Sequence, residues 1–509
     1  MKRGEHSASR IERGDWQTPR ALAETVLDRV AAWQATSARA PRTVVEPTCG
    51  KGAFLSAAAR RFPRAALLGY EINASYTRLA RAALGARARI ETRDFFDVAW
   101  ERELAALDGP LLVLGNPPWV TSAQLGVLDS NNAPDKANAR RLRGLDALTG
   151  KSNFDVSEWM MVRLLEALAG RDATIALLCK SAVARRVVET IAARDLPVTP
   201  VGLWRVDAAR HFHASVSAVL FVAQTRGTKR SSKRRDSDAP AKPRAALHAK
   251  PRAKPHAKPH AIWPVFAELD ANDGRAESAL AVVDGVLVAD ADRFARTRHL
   301  AGTCAPEWRS GVKHDCARIM ELERATASSP WRNGLGEVVD IEIELVHPLL
   351  KSSDVANERG EPTRAMIVTQ RSLGEDTTAL RERAPRAWRY LSRHRALFDA
   401  RKSSIYERQP PFAIFGVGSY SFAPWKVAIS GLYKRSTFTV VGPHQGRPVV
   451  LDDTCYFLAF DDEAQARRAA VALRSTPASD FLGARIFWDA KRPITKGILQ
   501  TLDLQALLR

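Results

Sequence analysis

Four consecutive residues, Asn116-Pro117-Pro118-Trp119, follow the apolar run LLVLG at 111–115. Two prolines stiffen the chain and remove two N–H donors. The side-chain carbonyl of Asn116 and the backbone carbonyl of Pro117 can then serve together as acceptors. An amino group seated between them would donate both hydrogens, which concentrates electron density on its nitrogen. Such a nitrogen can attack an electrophilic carbon, and a rigid seat favours near-attack geometry. Trp119 offers a flat face for a heteroaromatic base. The plain alternative is a strand-ending Asn followed by a stiff turn.

A second constellation lies upstream. The run Val44-Val45-Glu46 passes into Pro47-Thr48-Cys49-Gly50-Lys51-Gly52, and a helical pattern begins near Ala53. Glycine at such a bend lets backbone approach a ligand. The spacing is neither GxxxxGK[ST] nor GxGxxG. The next apolar run ends at Glu71, 19 residues beyond Gly52, with Ile72 after it. An acid at that distance is placed to accept from ribose hydroxyls. A third run ends in Asp94-Phe95, where a carboxylate can accept from an adenine amine while the ring packs on the base. Singly, these acids read as solvated loop residues; at successive strand ends they outline an adenosine site. Ahead of them, Thr18 and Pro19 suit the N-cap and first position of a helix, whose free N-terminus also suits a carboxylate ligand.

These residues need a scaffold that presents strand ends. The runs at 43–46, 66–71, 111–116, 174–179 and 217–223 read as buried strands. Helical stretches alternate with them, among them Arg20–Gln34, Ala53–Arg61 and Glu158–Ala169. The alternation predicts an α/β fold, a Rossmann-like doubly wound parallel sheet with its site at the carboxyl ends of the strands.

The chain has 509 residues, 45% of them hydrophobic, enough for two buried domains. The expected division is a catalytic domain at 1–225, a linker at 226–262 and a second, mixed α/β domain at 263–509. The linker repeats KPRA and KPHA, a composition that cannot build a core. Residues 226–261 hold 12 Lys/Arg against 2 Asp, or +10 of the total +21, so the remainder carries +11. A charge this basic attracts polyanions, nucleic acid first. There is no run of 18 apolar residues, and the polar start MKRGEHSASRIERGDW does not read as a secretory signal. Cys49, Cys179, Cys304, Cys316 and Cys455 lack paired or zinc-type spacing, which suits a reducing cytoplasm and no metal.

The order of motifs resembles the gamma-class DNA adenine-N6 methyltransferases of restriction–modification systems: a QTP helix start, then EPTCGKGAF, GYEI, RDFF and NPPW. The resemblance spans about residues 15–225. It implies S-adenosylmethionine as cofactor, held by Thr18, Glu46, Pro47, Cys49, Gly50, Gly52, Glu71, Ile72, Asp94 and Phe95. It gives Asn116, Pro117, Pro118 and Trp119 to the target adenine. Asn153 and Phe154 resemble the next motif beside the base pocket, and Phe212, in HFHASVSAV, the aromatic residue that packs on a flipped base. The family more often has Tyr or Phe at the position of Trp119, and the insert at 120–150 has no counterpart we can place. Double-stranded DNA is the implied substrate, a separate restriction endonuclease the partner such a system adds, and a cytoplasmic monomer the expected form.

The C-terminal half is less specific. His347–Val355 resembles a segment of the target-recognition domains of that class. Residues 388–402 carry Arg389, Arg393, Arg395, Arg401 and Lys402, with Trp388, Leu391 and Phe398 on one helical face. That pattern fits DNA contact and an ordinary amphipathic helix about equally. Asp480 and Asp489-Ala490-Lys491 loosely echo a metal-dependent nuclease. Two other activities share the Asn-Pro-Pro element, methylation of RNA and of a protein glutamine, and a catalytically silent DNA-binding component is a third reading. The roughly 250 residues after the catalytic segment favour DNA recognition, and the intact Asn116–Trp119 and Glu71 favour activity.

Overall fold

The computed structural model describes residues 16–37, 39–120, 155–226, 261–269, 274–326 and 328–509. Its first unit, ending at Ala291, is built on a ten-stranded sheet. In chain order the strands are β1 (Thr43–Glu46), β2 (Ala66–Glu71), β3 (Arg89–Thr92), β4 (Leu111–Gly115), β5 (Ala173–Lys180), β6 (Val198–Val206), β7 (Ala218–Thr225), β8 (Ile262–Phe266), β9 (Ser278–Val283) and β10 (Val286–Val288). The spatial order is β10-β9-β8-β6-β7-β5-β4-β1-β2-β3.

Strands β1 and β4 are buried throughout, as uninterrupted apolar runs covered on both faces must be. Helices α1 (Arg20–Ser37), α2 (Ala53–Arg61) and α3 (Ala74–Leu84) cover one face. Leu22, Val26, Phe54, Leu55 and Ala80 meet Val44, Leu67, Leu112, Leu114, Ala176 and Leu178 there. The alternation along each strand puts these side chains on a single face. Helices α4 (Trp100–Ala105), α5 (Val156–Ala167) and α6 (Ser181–Arg194) pack with one another and with β5.

The expectation of a parallel sheet holds through β3-β2-β1-β4-β5. Beyond it the sheet is mixed, because β7 runs antiparallel to both β5 and β6. The strand order reverses between β1 and β4, and that reversal opens a crevice at their carboxyl ends.

The boundary expected at residue 263 lies elsewhere. Strand β8 pairs with β6 in parallel register, Leu203 with Val265 and Trp204 with Phe266. Trp263 is fully buried on Phe221 of β7, with ring centroids 4.7 Å apart, and Trp204 stacks on Phe266 at 4.6 Å. Two large aromatic contacts bind 262–266 to the first sheet, β9 and β10 extend it, and the second unit begins at Asp292.

That second unit, Asp292–Arg509, holds two sheets. One is ordered β11 (Arg309–Ser310), β19 (Cys455–Phe460), β16 (Trp425–Ser430) and β17 (Phe438–Val441). The other is ordered β13 (Arg332–Asn333), β12 (Glu321–Glu323), β15 (Arg364–Ile367), β14 (Val346–Leu350) and β18 (Val450–Leu451). With the short helices between them they form a mixed α/β unit, as expected. Among the described residues no helix is long and apolar enough to cross a membrane.

Candidate active site

A cleft of about 1050 Å³, open to solvent, lies beyond the carboxyl ends of β1, β2, β3 and β4. Each strand delivers its expected residue: Glu46 from β1, Glu71 and Ile72 from β2, Asp94 and Phe95 after β3, Asn116 and Pro118 after β4. Thr18, Pro47, Cys49 and Gly50 also line it.

The loop after β1 is shaped by its glycines. Gly50 and Gly52 have φ of +50° and +83°, in the left-handed region that disfavours a Cβ. A Cβ on Gly50 would also stand 2.8 Å from Oε1 of Gln17. Gly52 is absent from the cleft wall, contrary to its assignment. It caps α2 and faces α3, where a Cβ would lie 3.2 Å from both Ala80 and Leu84. Its contribution is close helix packing.

Glu71 is set by two backbone donors. Its Oε2 accepts from Gly50 N at 2.8 Å and its Oε1 from Asn73 N at 2.8 Å. The carboxylate therefore braces the loop while facing the cleft. Asp94 accepts from Phe96 N at 3.0 Å and caps a short 3₁₀ turn. Partial burial raises its pKa above the ordinary aspartate value. Phe95 is buried, its carbonyl receives the Trp100 indole N–H at 3.0 Å, and its ring packs on Trp100.

Glu46 is buried and accepts from Leu55 N at 3.2 Å. Desolvation first, then the nearby Glu71 carboxylate, push its pKa well above the usual glutamate value. A positively charged ligand in the cleft would relieve both effects. Acids at three strand ends, apolar Ile72, Phe95 and Met160, and a tight glycine loop thus fit a cationic adenosine derivative.

Asn116 has the most informative hydrogen bonding. Its Nδ2 donates to the carbonyl of Trp16 at 3.0 Å, which fixes the amide orientation. Its Oδ1 is buried and accepts from no described residue. A buried acceptor without a donor is costly in a native fold, and this oxygen is placed to accept from a donor seated in the cleft.

Other assignments meet different fates. The helix α1 starts one residue later than expected: the Pro19 carbonyl takes the Ala23 N–H at 3.1 Å, so Pro19 occupies the capping position and Thr18 is free to line the cleft. Pro117 and Trp119 are not in the cleft wall. Trp119 and Phe212 are buried in edge-to-face contact, centroids 5.1 Å apart, so the two rings that the sequence assigns to a base pack on each other. Asn153, Phe154 and residues 121–150 of the insert lie outside the described residues. The nuclease echo has an ordinary explanation at Asp480, which pairs with Arg293 at 2.6 Å.

The cleft also contains residues that sequence reasoning missed: Trp16, Tyr76, Arg93, Phe96 and Met160. Tyr76 had a usable signal, since it sits in the first turn of the helix after Glu71. Met160 had none, because its place depends on how α5 packs.

A doubly wound α/β sheet with an adenosine-type cleft at its switch point defines the class, a Rossmann-like methyltransferase domain followed by a mixed α/β domain. No family model matches the chain. It is 38% identical to the type II methyltransferase M.NspV of Nostoc sp., over 98% of each protein. A second likeness, 29% over 112 residues, covers 22% of this chain and 26% of the type II methyltransferase M.CvrRI of Paramecium bursaria Chlorella virus XZ-6E. Among solved structures, TrmN from Thermus thermophilus matches 43% of this chain and 53% of its own, at 16% identity and a TM-score of 0.27. The chain belongs to the type II methyltransferases, the DNA-modifying enzymes of restriction–modification systems. Enzymes of this class draw their methyl group from S-adenosylmethionine, which the cleft fits.

Proposed function

We propose that this chain methylates the N6 amine of an adenine in double-stranded DNA, in the cleft beside Asn116. The observation that carries the reading is the buried Oδ1 of Asn116, without a partner among the described residues and held toward the cleft by the bond from its own Nδ2 to Trp16. Glu71, Asp94 and Glu46 would hold the cofactor, with Ile72 and Phe95 against its base. When bound, S-adenosylmethionine supplies a methyl group on a cationic sulfur.

The protein's part is to seat the acceptor. Asn116 Oδ1 would accept a hydrogen bond from one amine hydrogen. The Pro117 carbonyl, which is outside the cleft wall in this structure, would accept from the other once a base is seated, leaving the nitrogen lone pair directed away from them. A base inside a duplex cannot reach such a seat, so it must leave the stack. Trp119 and Phe212 would then separate, exchanging their mutual contact for contact with the base. The second unit, where exposed Arg389 and Arg393 form no ion pair with any described residue, supports a role in recognising DNA sequence. A separate endonuclease and a monomeric form remain part of this reading.

The test is direct. Genomic DNA from a methylation-deficient host is incubated with the purified protein and S-adenosylmethionine, then digested to nucleosides for mass spectrometry. N6-methyladenine is the expected product. N4-methylcytosine would move the assignment to the other exocyclic amine, and methylated RNA with unmethylated DNA would overturn the DNA substrate.

A further inference from the structure

The residues ahead of α1 touch both halves of the site. Nδ2 of Asn116 donates to the Trp16 carbonyl at 3.0 Å. One residue on, Oε1 of Gln17 accepts from Lys51 N at 3.3 Å, in the loop after β1. The same oxygen is what a Cβ on Gly50 would strike. The Trp16 ring packs against the core under α1 to α3, so its carbonyl is not on a loose end. Trp16, Gln17 and Thr18 all line the cleft.

We infer that Trp16-Gln17 is a positioning strap: Gln17, anchored on the cofactor loop, holds the Trp16 carbonyl against Asn116 and so keeps Oδ1 facing the acceptor amine. The inference rests on the role proposed for Asn116. Its physical basis is the two-fold ambiguity of an amide. Turned by 180° about its last bond, Asn116 would present its NH₂ to a substrate amine, donor against donor, and the seat would fail. Asn116's recorded side-chain partner is the Trp16 carbonyl, which can accept Nδ2 and cannot donate to Oδ1. The strap therefore selects the productive rotamer. It also links the two halves of the reaction, since whatever orders the 47–52 loop orders the acceptor side through Gln17.

Single-turnover transfer of a tritiated methyl group tests this, with the full chain in excess over sites in methylation-deficient genomic DNA. Gln17→Ala should lower the rate constant about three- to tenfold, the range for one lost hydrogen bond. Saturating S-adenosylmethionine should not recover it, because the defect lies in the orientation of Asn116. Gln17→Glu keeps an acceptor for Lys51 N and should restore most of the rate, which a general packing defect would not predict. A thermal melt of each variant identifies loss of folding. Full recovery of Gln17→Ala at saturating cofactor would reduce Gln17 to a cofactor contact and overturn the strap, as would a Gln17→Glu rate no better than Gln17→Ala. Failure of the underlying reading looks different: the parent chain transfers no label to DNA, or Asn116→Ala transfers it at the parental rate.

Discussion

The two units place their buried polar groups in different surroundings, beside an open cleft in the first and within packed interior in the second. In the first, Asn116 Oδ1 faces the cleft without a partner among the described residues, the buried Glu46 carboxyl has a backbone donor in Leu55 N, and Glu71 is aimed at the cleft by backbone N–H groups. In the second, several buried polar side chains are tied down internally, while His347 Nδ1 and Arg485 Nε are buried without a partner among the described residues and do not line the cleft. Arg401, whose sequence pattern fits DNA contact and an ordinary helix face equally, donates to the carbonyls of Phe398, His314 and Ala413 and lies over the Tyr406 ring at 3.6 Å. Asn333 bonds Tyr390 at 2.9 Å, and Gln370 bonds the backbone at Ile414 and Glu375. The contrast teaches that an unsatisfied interior polar group points to chemistry where it lines a ligand-sized cleft, as Asn116 does, and not by burial alone. In the second unit it is the exposed, unpaired charges that remain for a partner.

The largest test of that contrast is Asn116→Ala. Single-turnover methyl transfer should fall by on the order of a thousandfold, the scale of removing one preorganised polar contact. Cofactor affinity, measured by calorimetry, should hardly change. A near-parental rate would remove the distinction between the two units.

Lys426 sharpens the comparison from the other side. It is buried in β16, donates to the Ala423 carbonyl at 2.6 Å and faces the Phe457 ring, and burial lowers its pKa to about 7. Because the folded value lies below the ordinary lysine value, the unfolded chain binds more protons between the two. Stability should therefore rise from about pH 7 toward the ordinary lysine range near 10.5, and the full charge penalty applies below it. Lys426→Met should stabilise the second unit at pH 6.5 by roughly 3 kcal/mol and by less at pH 9.5. Urea titrations at both pH values check this. An equal gain at both would mean that the lysine titrates in the fold as it does in the unfolded chain, without the depression that burial imposes.

Glu71→Ala should weaken cofactor binding by roughly ten- to a hundredfold, since bonds to a charged acceptor contribute about 1.5–3 kcal/mol. Two effects combine here, the lost acceptors and the loosened Gly50 and Asn73 N–H groups. Unchanged affinity by calorimetry would make Glu71 an architectural residue like those of the second unit.

The smallest expected effect concerns the helix Pro385–Arg393. Arg389 and Arg393, four residues apart and exposed, form no ion pair with any described residue, while Ala387, Tyr390 and Leu391 are buried. Replacing both with alanine should reduce the slope of log affinity against log salt by about 2, near 0.9 per phosphate contact. The methylated sequence should stay the same. An unchanged slope would place DNA on another face of this unit.

The motifs after β1, β2, β3 and β4 were legible because each rests on a local rule, an apolar run that ends in a turn with a polar residue. Strand β6 was not, since Thr199, Pro200 and Gly202 interrupt its apolar pattern. The bounds of α2 were read correctly to the residue, whereas the capping residue ahead of α1 was displaced by one because a Thr-Pro pair permits two registers, and α1 ends at Ser37, beyond the expected Gln34.

By itself, then, the sequence determined the strand–helix alternation, the order of the motifs and the identity of the amide that faces the cleft. These depend on side-chain periodicity and turn chemistry over a few neighbouring residues. Tertiary structure alone decided that Trp119 packs on Phe212, that Trp263 carries β8 into the first sheet, that Gly52 serves helix packing, and that the Trp16 carbonyl orients Asn116 from 100 residues away. Each of these is a contact between segments distant in the chain, set by which surfaces meet when the sheet closes, and no local pattern encodes that choice.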